Sequence, residues 1–414
     1  MTESPEPAGA ERGLVVVGAG QAAAQLVSSL RSLGYEGRIR LFGEEPALPY
    51  QRPPLSKQFL SGELAAEQLA LLQPAFYQDN RIEVATGSRV ATIDRAARTI
   101  GLASGETLGY DKLALTTGAL VRHLPVPGAD LDGILTLRTS ADVERIRARM
   151  APGRRLVIVG GGYIGLEVAA VAVKQGLSVT VLEMADRVMN RVVCPEVSAF
   201  YQSEHEAAGV TLLTKARVGG FEPGDGAAVR VNCADGQAFE ADLVLVGVGV
   251  RPNTALAEAA GLEVDDGILV DEFARTSDPD IVAAGDCTRH VNLAYDGRLR
   301  LESVQNAVSQ GRIAAATLVG APQAYDEVPW FWSDQYDLKL QIVGLSDGCD
   351  RTVIRGEPGQ RSFAVYYLRG GIPIAVDAVN APRDFMMGKK LIAAGGPVDP
   401  ARLADPAVPL REIA

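Results

Sequence analysis

Two glycine-rich runs stand where a strand should turn into a helix: GAGQAA at 18–23 follows the apolar tetrad Leu14–Val17, and GGGYIG at 160–165 follows LVIV. In the first, Gly18 permits a tight bend, Gly20 lets a phosphate-bearing ligand come close to the backbone, and the small Ala23 lets helix and strand pack closely. In the second, Gly160, Gly162 and Gly165 give the full GxGxxG spacing. Each helix start would face an anion with free N–H groups and a partial positive charge, so the predicted chemistry is a grip on the pyrophosphate of a dinucleotide. Glu44 and Glu183, each ending the next strand, are placed to accept hydrogen bonds from an adenosine ribose. A glycine-rich loop can be a plain tight turn, and one copy can be a relic. Two intact copies favour two dinucleotides.

Two later segments could complete such a site. Asp286, in AAGDCT, follows a short apolar strand at the carboxyl edge where parallel sheets place their ligands, although G-D is also an ordinary turn or capping pair. Ser303 is a candidate N-cap for a helix beginning near Val304, whose N-terminus would favour a nearby anion.

The elements that must position these residues repeat. Strand, glycine turn, helix and strand occupy about thirty residues from Leu14, with Gly34 as the helix stop, and return from Leu156 with Gly176 as the stop. The runs TIGLASGETLGYDKLALTTG and VRVNCADGQAFEADLVLVGVG each predict a hairpin followed by a strand that re-enters a sheet. From about Pro329 the segments PWFWSDQYDLKLQIVG, RSFAVYYLRGG and PIAVDAVN predict a smaller domain built on an antiparallel sheet. The fold class is therefore α/β, with two Rossmann-like dinucleotide-binding domains and a C-terminal α+β domain.

Bulk properties narrow the function. At 414 residues the chain should form two or three domains, and a net charge of -11 argues against nucleic acid or an anionic membrane as partner. The opening MTESPEPAGAERG lacks the cationic start and apolar core of an export signal, reads as a frayed end, and places the protein in the cytoplasm. The apolar runs are too short to span a bilayer. Cys194, Cys233, Cys287 and Cys349 form no C-x-x-C, and His123, His205 and His290 lie far apart, so neither disulfide chemistry nor a metal site is expected.

Taken together, GAGQAA, PYQRPPLSK, the TTG after YDKLAL, GGGYIGLE, AAGD and PWFWSDQYDLKL resemble the FAD-dependent NADH:ferredoxin reductases over essentially the whole chain after Leu14. PPLSK, GGGYIGLE and PWFWSDQ carry most of that resemblance, and Gln21 departs from the apolar residue usual in the first turn. The resemblance implies FAD held through Gly18, Gly20, Ala22, Glu44, Lys57, Val90, Arg138, Asp286 and Val304. It implies NADH held through Gly162, Tyr163, Ile164, Gly165 and Glu183, with Arg191 as a further candidate. The FAD domain would then be discontinuous, 1–117 and 251–328, with the NADH domain 118–250 inserted and a C-terminal domain 329–414.

For the redox step the resemblance points to Lys57 beside the flavin, to Glu167 as its partner, and to Trp332, or Trp330, over the flavin. The residues alone also read as a loop lysine, a helix-start glutamate and core aromatics. The implied activity is hydride uptake from NADH and single-electron delivery to a 2Fe-2S ferredoxin serving a monooxygenase or dioxygenase, by a monomer or weak dimer. Related NADH oxidases, peroxide reductases and disulfide reductases need a redox cysteine near the flavin, and no cysteine precedes Cys194. A redox-sensing flavoprotein like apoptosis-inducing factor is the other alternative. Arg289, His290, Arg298, Arg300, Arg312 and Lys339 are candidates for a basic docking patch.

Overall fold

The computed structural model describes residues 12–293, 295 and 297–413; the opening segment read as a frayed end falls almost entirely outside them. The chain divides into two compact units. One comprises Met1–Gln51, Leu69–Leu120 and Arg251–Glu327, the other Arg52–Gln68, Val121–Val250 and Val328–Ala414.

The first unit is built on a five-stranded parallel sheet in the order Ile281–Ala283, Lys112–Leu115, Leu14–Val17, Ile39–Phe42, Ile82–Ala85. The LVVV tetrad is buried throughout because both faces of its sheet are covered. The period of two divides it: Leu14 and Val16 enter a core with Ala23, Leu26, Val27 and Leu30 of helix Gln21–Ser32, whereas Val15 and Val17 enter a second core with Leu113, Leu115 and Ile281. Each fully buried Leu or Val contributes roughly 1.5–3 kcal/mol. Helix Val304–Leu318 closes the first core through Ala307, Ile313, Ala314 and Ala315.

The second unit repeats the plan with a parallel sheet ordered Thr211–Leu213, Ser178–Leu182, Arg155–Val159, Leu243–Val246, Ile134–Leu135. It also holds an antiparallel sheet ordered Trp330–Gln335, Leu338–Gly344, Ile372–Val379, Ser362–Arg369, Arg351–Glu357, packed against helix Pro382–Ala394.

Local expectations hold in detail. Strands Thr99–Leu102 and Thr107–Gly109 form a hairpin before Lys112–Leu115 enters the first sheet, and Val229–Cys233 pairs with Ala238–Ala241 before Leu243–Val246 enters the second. Gly34 and Gly176 both take positive φ just beyond their helices. No described helix is long and apolar enough to cross a membrane.

Candidate functional site: two dinucleotide turns and a buried lysine–glutamate pair

The two glycine turns are built alike. Gly18 has φ +103°, and a Cβ there would lie 2.3 Å from the Thr116 carbonyl oxygen; Gly160 has φ +109°, and its Cβ would lie 2.5 Å from the Gly247 carbonyl oxygen. Backbone conformation and a neighbouring chain thus both demand glycine. Gly20 and Gly162 are different. Each is the N-cap of the following helix in extended backbone, with no side-chain cap, and a Cβ on either would have nothing within 4 Å. Each helix therefore starts without a side-chain cap beside open space at its N-cap glycine, which is what an incoming pyrophosphate requires.

At the third position the turns diverge. Gly165 is packed so closely that a Cβ would lie 2.2 Å from the Gly160 carbonyl oxygen, whereas the first turn carries Ala22 and Ala23, both buried. Glu183 is held in place: one carboxylate oxygen accepts from the Gly161 N–H at 2.6 Å and the other from the Ala185 N–H at 2.7 Å. Each oxygen keeps a lone pair for a ribose hydroxyl. Glu44 is 72% exposed, 4.0 Å from Arg89, and is not fixed in this way.

The first unit thus carries Gly18, Gly20, Ala22, Glu44, Val90, Asp286 and Val304. Val90 is buried in the second core, Asp286 follows Gly285 with its φ of +87°, and Val304 opens its helix. The Ser303 hydroxyl caps that helix by accepting from the Asn306 N–H at 3.1 Å. Arg138, in the second unit, donates its N–H to Asp142 at 3.0 Å beside the capping box formed by Thr139 and Asp142.

The second unit also brings Lys57 and Glu167 together. PPLS forms a single 3-10 turn opened by proline, and Lys57 joins it to the short helix Gln58–Ser61. The Lys57 Nζ donates to a Glu167 carboxylate oxygen at 2.7 Å and to the Pro53 carbonyl at 3.1 Å. The side chains are 12% and 5% exposed, so the reading of a solvated loop lysine does not hold, and the helix-start glutamate also carries a buried ion pair. The Ser56 hydroxyl donates to the same oxygen as Lys57, and the Ser333 hydroxyl to the other at 2.7 Å. A buried carboxylate that accepts three donors, one of them cationic, has its desolvation offset.

Geometry explains the pairing with strand Trp330–Gln335. Tyr163 and Glu167 lie four residues apart on their helix, a rise of about 6 Å, and alternate strand residues lie about 6.6 Å apart. Phe331 therefore meets Tyr163, with ring centroids 4.8 Å apart, where Ser333 meets Glu167. Burial raises the Tyr163 hydroxyl well above its usual pKa, and the hydroxyl has no hydrogen-bond partner. Ile164, next along, is 41% exposed. Trp330 and Trp332 occupy the other strand face, with centroids 5.6 Å apart; Trp330 also packs on Phe385. Ser56, Phe331 and Ser333 were not singled out from sequence, and the available signal was the period-two spacing of Phe331 and Ser333 against the four-residue spacing of Tyr163 and Glu167.

The basic patch needs correction. His290 is buried and pushed down to about 4 by desolvation, so it carries no charge near neutrality. Arg289 pairs with Asp265, Arg300 with Asp266 and Glu302, and Arg312 with Glu327, which largely cancels their fields. Arg298 and the exposed Lys339 are what is left of that set. All four cysteines are free thiols, and no group of residues able to hold a metal occurs among the described residues.

Comparison with known proteins agrees with this construction. The pyridine nucleotide-disulphide oxidoreductase family matches residues 12–311, and the reductase C-terminal family matches residues 330–414. Putidaredoxin reductase CamA of Pseudomonas putida is 45% identical over 405 residues, covering 97% of this chain and 96% of that protein. The ferredoxin reductase subunit of 5,5'-dehydrodivanillate O-demethylase from a Sphingobium species is 44% identical, covering 96% and 97%. The crystal structure of a covalent putidaredoxin reductase–putidaredoxin complex superposes with a TM-score of 0.93 at 45% identity, covering 98% of each chain. The chain belongs to the pyridine nucleotide-disulphide oxidoreductase family and, within it, to the ferredoxin reductases.

Proposed function

We propose that this protein is an FAD-dependent oxidoreductase that takes a hydride from NADH and passes electrons singly to a 2Fe-2S ferredoxin feeding an oxygenase. The observation that carries the reading is the duplicated turn, each copy with a locked first glycine and an open second glycine ahead of an uncapped helix. The relatives support it, several being reductase components of dioxygenase and demethylase systems. When bound, a flavin supplies the conversion of a two-electron hydride into single electrons, which no side chain can perform.

The chain's residues bind, orient and hold charge. Gly18, Gly20 and Ala22 would admit the FAD pyrophosphate to the helix that starts at Gln21, Glu44 and Asp286 would accept hydrogen bonds from its hydroxyls, Val90 and Arg138 would line it, and the Val304 helix start would favour negative charge near it. Gly162, Tyr163, Ile164 and Gly165 would form the NADH turn, and Glu183 would accept hydrogen bonds from the adenosine ribose hydroxyls while repelling a 2′-phosphate. Lys57, held by Glu167, provides a cation toward charge that develops during hydride transfer. Trp332 shields the flavin. In domain terms, 1–117 and 251–328 bind FAD, 118–250 bind NADH and 329–414 serve the protein acceptor. The protein works in the cytoplasm as a monomer or weak dimer.

Steady-state oxidation of NADH with ferricyanide, and then with ferredoxin and cytochrome c, tests this reading. Rapid turnover in both is the expected result, and sluggish turnover with any acceptor would favour a redox sensor.

A further inference from the structure

Beyond Glu167, a line of buried polar side chains continues through the second unit. Ser333 lies 2.7 Å from Glu167, Gln335 Nε2 lies 3.2 Å from the Ser333 hydroxyl, Gln335 Oε1 lies 2.8 Å from His205 Nε2, and the Tyr336 hydroxyl lies 2.9 Å from His205 Nδ1. Ser333, Gln335 and His205 are each at least 99% buried. None of the three is explained by hydrophobic packing, since each spends its polar atoms on a neighbour in this line.

The direction of every proton follows from the carboxylate end. A carboxylate accepts only, so the Ser333 hydroxyl commits its one hydrogen to Glu167. The Ser333 oxygen can then only accept from Gln335, which must turn its amide NH2 that way and its carbonyl toward His205. That carbonyl also only accepts, so His205 carries its proton on Nε2. In the neutral ring Nδ1 is left as an acceptor, and the Tyr336 hydroxyl donates to it. Reversing any one link leaves two donors or two acceptors facing each other. Burial lowers the His205 pKa, in agreement with a neutral ring, while its bond to Gln335 opposes that shift.

We propose that Ser333, Gln335 and His205 form a one-way hydrogen-bond relay, anchored at Tyr336, that positions the Glu167 carboxylate against Lys57, which makes all three positioning residues for hydride transfer. The relay rests on the reading that Lys57 and Glu167 serve that transfer. Its local chain lies near the turn of the hairpin formed by Trp330–Gln335 and Leu338–Gly344. Successive donors polarise one another, so the Ser333 hydroxyl becomes a better donor than an isolated serine. A change at either end should be felt at the other.

The protein contains three histidines, which makes the test direct. FAD-loaded protein labelled with 15N-histidine is examined by NMR through the two-bond N–H couplings of the imidazoles, with the His205 signals assigned by their loss in His205→Gln. The relay predicts the Nε2–H tautomer at neutral pH and a shift of the His205 nitrogens in Lys57→Met that vanishes when Ser333→Ala is added. An Nδ1–H tautomer, or a Lys57→Met response that persists in the double variant, overturns it.

The kinetic arm is anaerobic stopped-flow reduction by saturating NADH. Ser333→Ala should slow flavin reduction by roughly ten- to 150-fold, the loss of one hydrogen bond to a charged group, with NADH affinity and FAD content unchanged. His205→Gln, which can donate and accept in the same places, should retain most of the wild-type rate. A wild-type rate in Ser333→Ala, set against a slowed Lys57→Met, removes the relay alone. A wild-type rate in Lys57→Met removes instead the role assigned to Lys57 and Glu167, and the tautomer measurement still decides whether the relay exists.

Discussion

A methyl group placed at Gly162 separates nucleotide binding from folding. Gly162 has φ -81° and ψ -179°, which alanine adopts without strain, and its Cβ would have no neighbour within 4 Å. The folded protein should therefore lose less than about 1 kcal/mol, the scale of an N-cap preference. If the NADH pyrophosphate lies against this turn, the methyl occupies its space, and overpacking of that kind costs roughly 1–3 kcal/mol. At tenfold per 1.4 kcal/mol, the affinity for NAD should fall roughly five- to 150-fold. Calorimetric titration of the FAD-loaded variant with NAD, alongside thermal melting, measures both quantities. Gly165→Ala is the contrast, because its Cβ would lie 2.2 Å from the Gly160 carbonyl oxygen and 3.2 Å from Ile158 Cγ2; it should lower Tm as well as affinity. A Gly162→Ala protein with wild-type affinity would refute the assignment of this turn to the pyrophosphate.

Other predictions rest on separate parts of the molecule. Glu167→Gln leaves Lys57 beside a neutral partner, and breaking a buried pair from one side should cost roughly 3–5 kcal/mol by denaturant unfolding, whereas Lys57→Met with Glu167→Leu together should cost far less. Replacing Glu183 by Arg should narrow the preference for NADH over NADPH in kcat/KM, and a wild-type preference for NADPH would contradict its role. Changing all four cysteines to serine should leave ferricyanide reductase activity nearly intact. Burial raises Asp377 to about 7 against the Tyr367 hydroxyl bond, so the native state holds a proton that the unfolded chain releases above about 3.9. Its contribution is full below that value and lost as pH rises to about 7, and Asp377→Asn should remove this slope, worth roughly 4 kcal/mol, from a urea-unfolding series across pH.

The parts legible in the sequence were those governed by short-range rules. Gly18 and Gly160 need positive φ, the Leu14–Val17 tetrad needs two covered faces, and Ser303 needs only the next turn of chain. The Lys57–Glu167 pair spans 110 positions and was reached only through family resemblance; nothing local in PPLSK or GGGYIGLE indicates it. Ser333 and Gln335 were hidden for a related reason: a strand alternates its faces, and which face of WFWSDQ meets the Tyr163 helix is a tertiary fact. Charge was the least legible property. Arg289, Arg300 and Arg312 look available in the sequence, yet each has an acidic neighbour, and His290 is uncharged because it is buried.

NADH should reduce a flavin in this protein, and a ferredoxin should take the electrons one at a time. Anaerobic mixing of the FAD-loaded protein with one equivalent of NADH in a stopped-flow spectrometer, followed by an oxidised 2Fe-2S ferredoxin in a second mix, tests it most directly. Rapid bleaching of the flavin, much slower bleaching by NADPH, and then reduction of two ferredoxins per NADH are expected. Flavin that stays oxidised on mixing, or that bleaches but transfers nothing to ferredoxin, would contradict it.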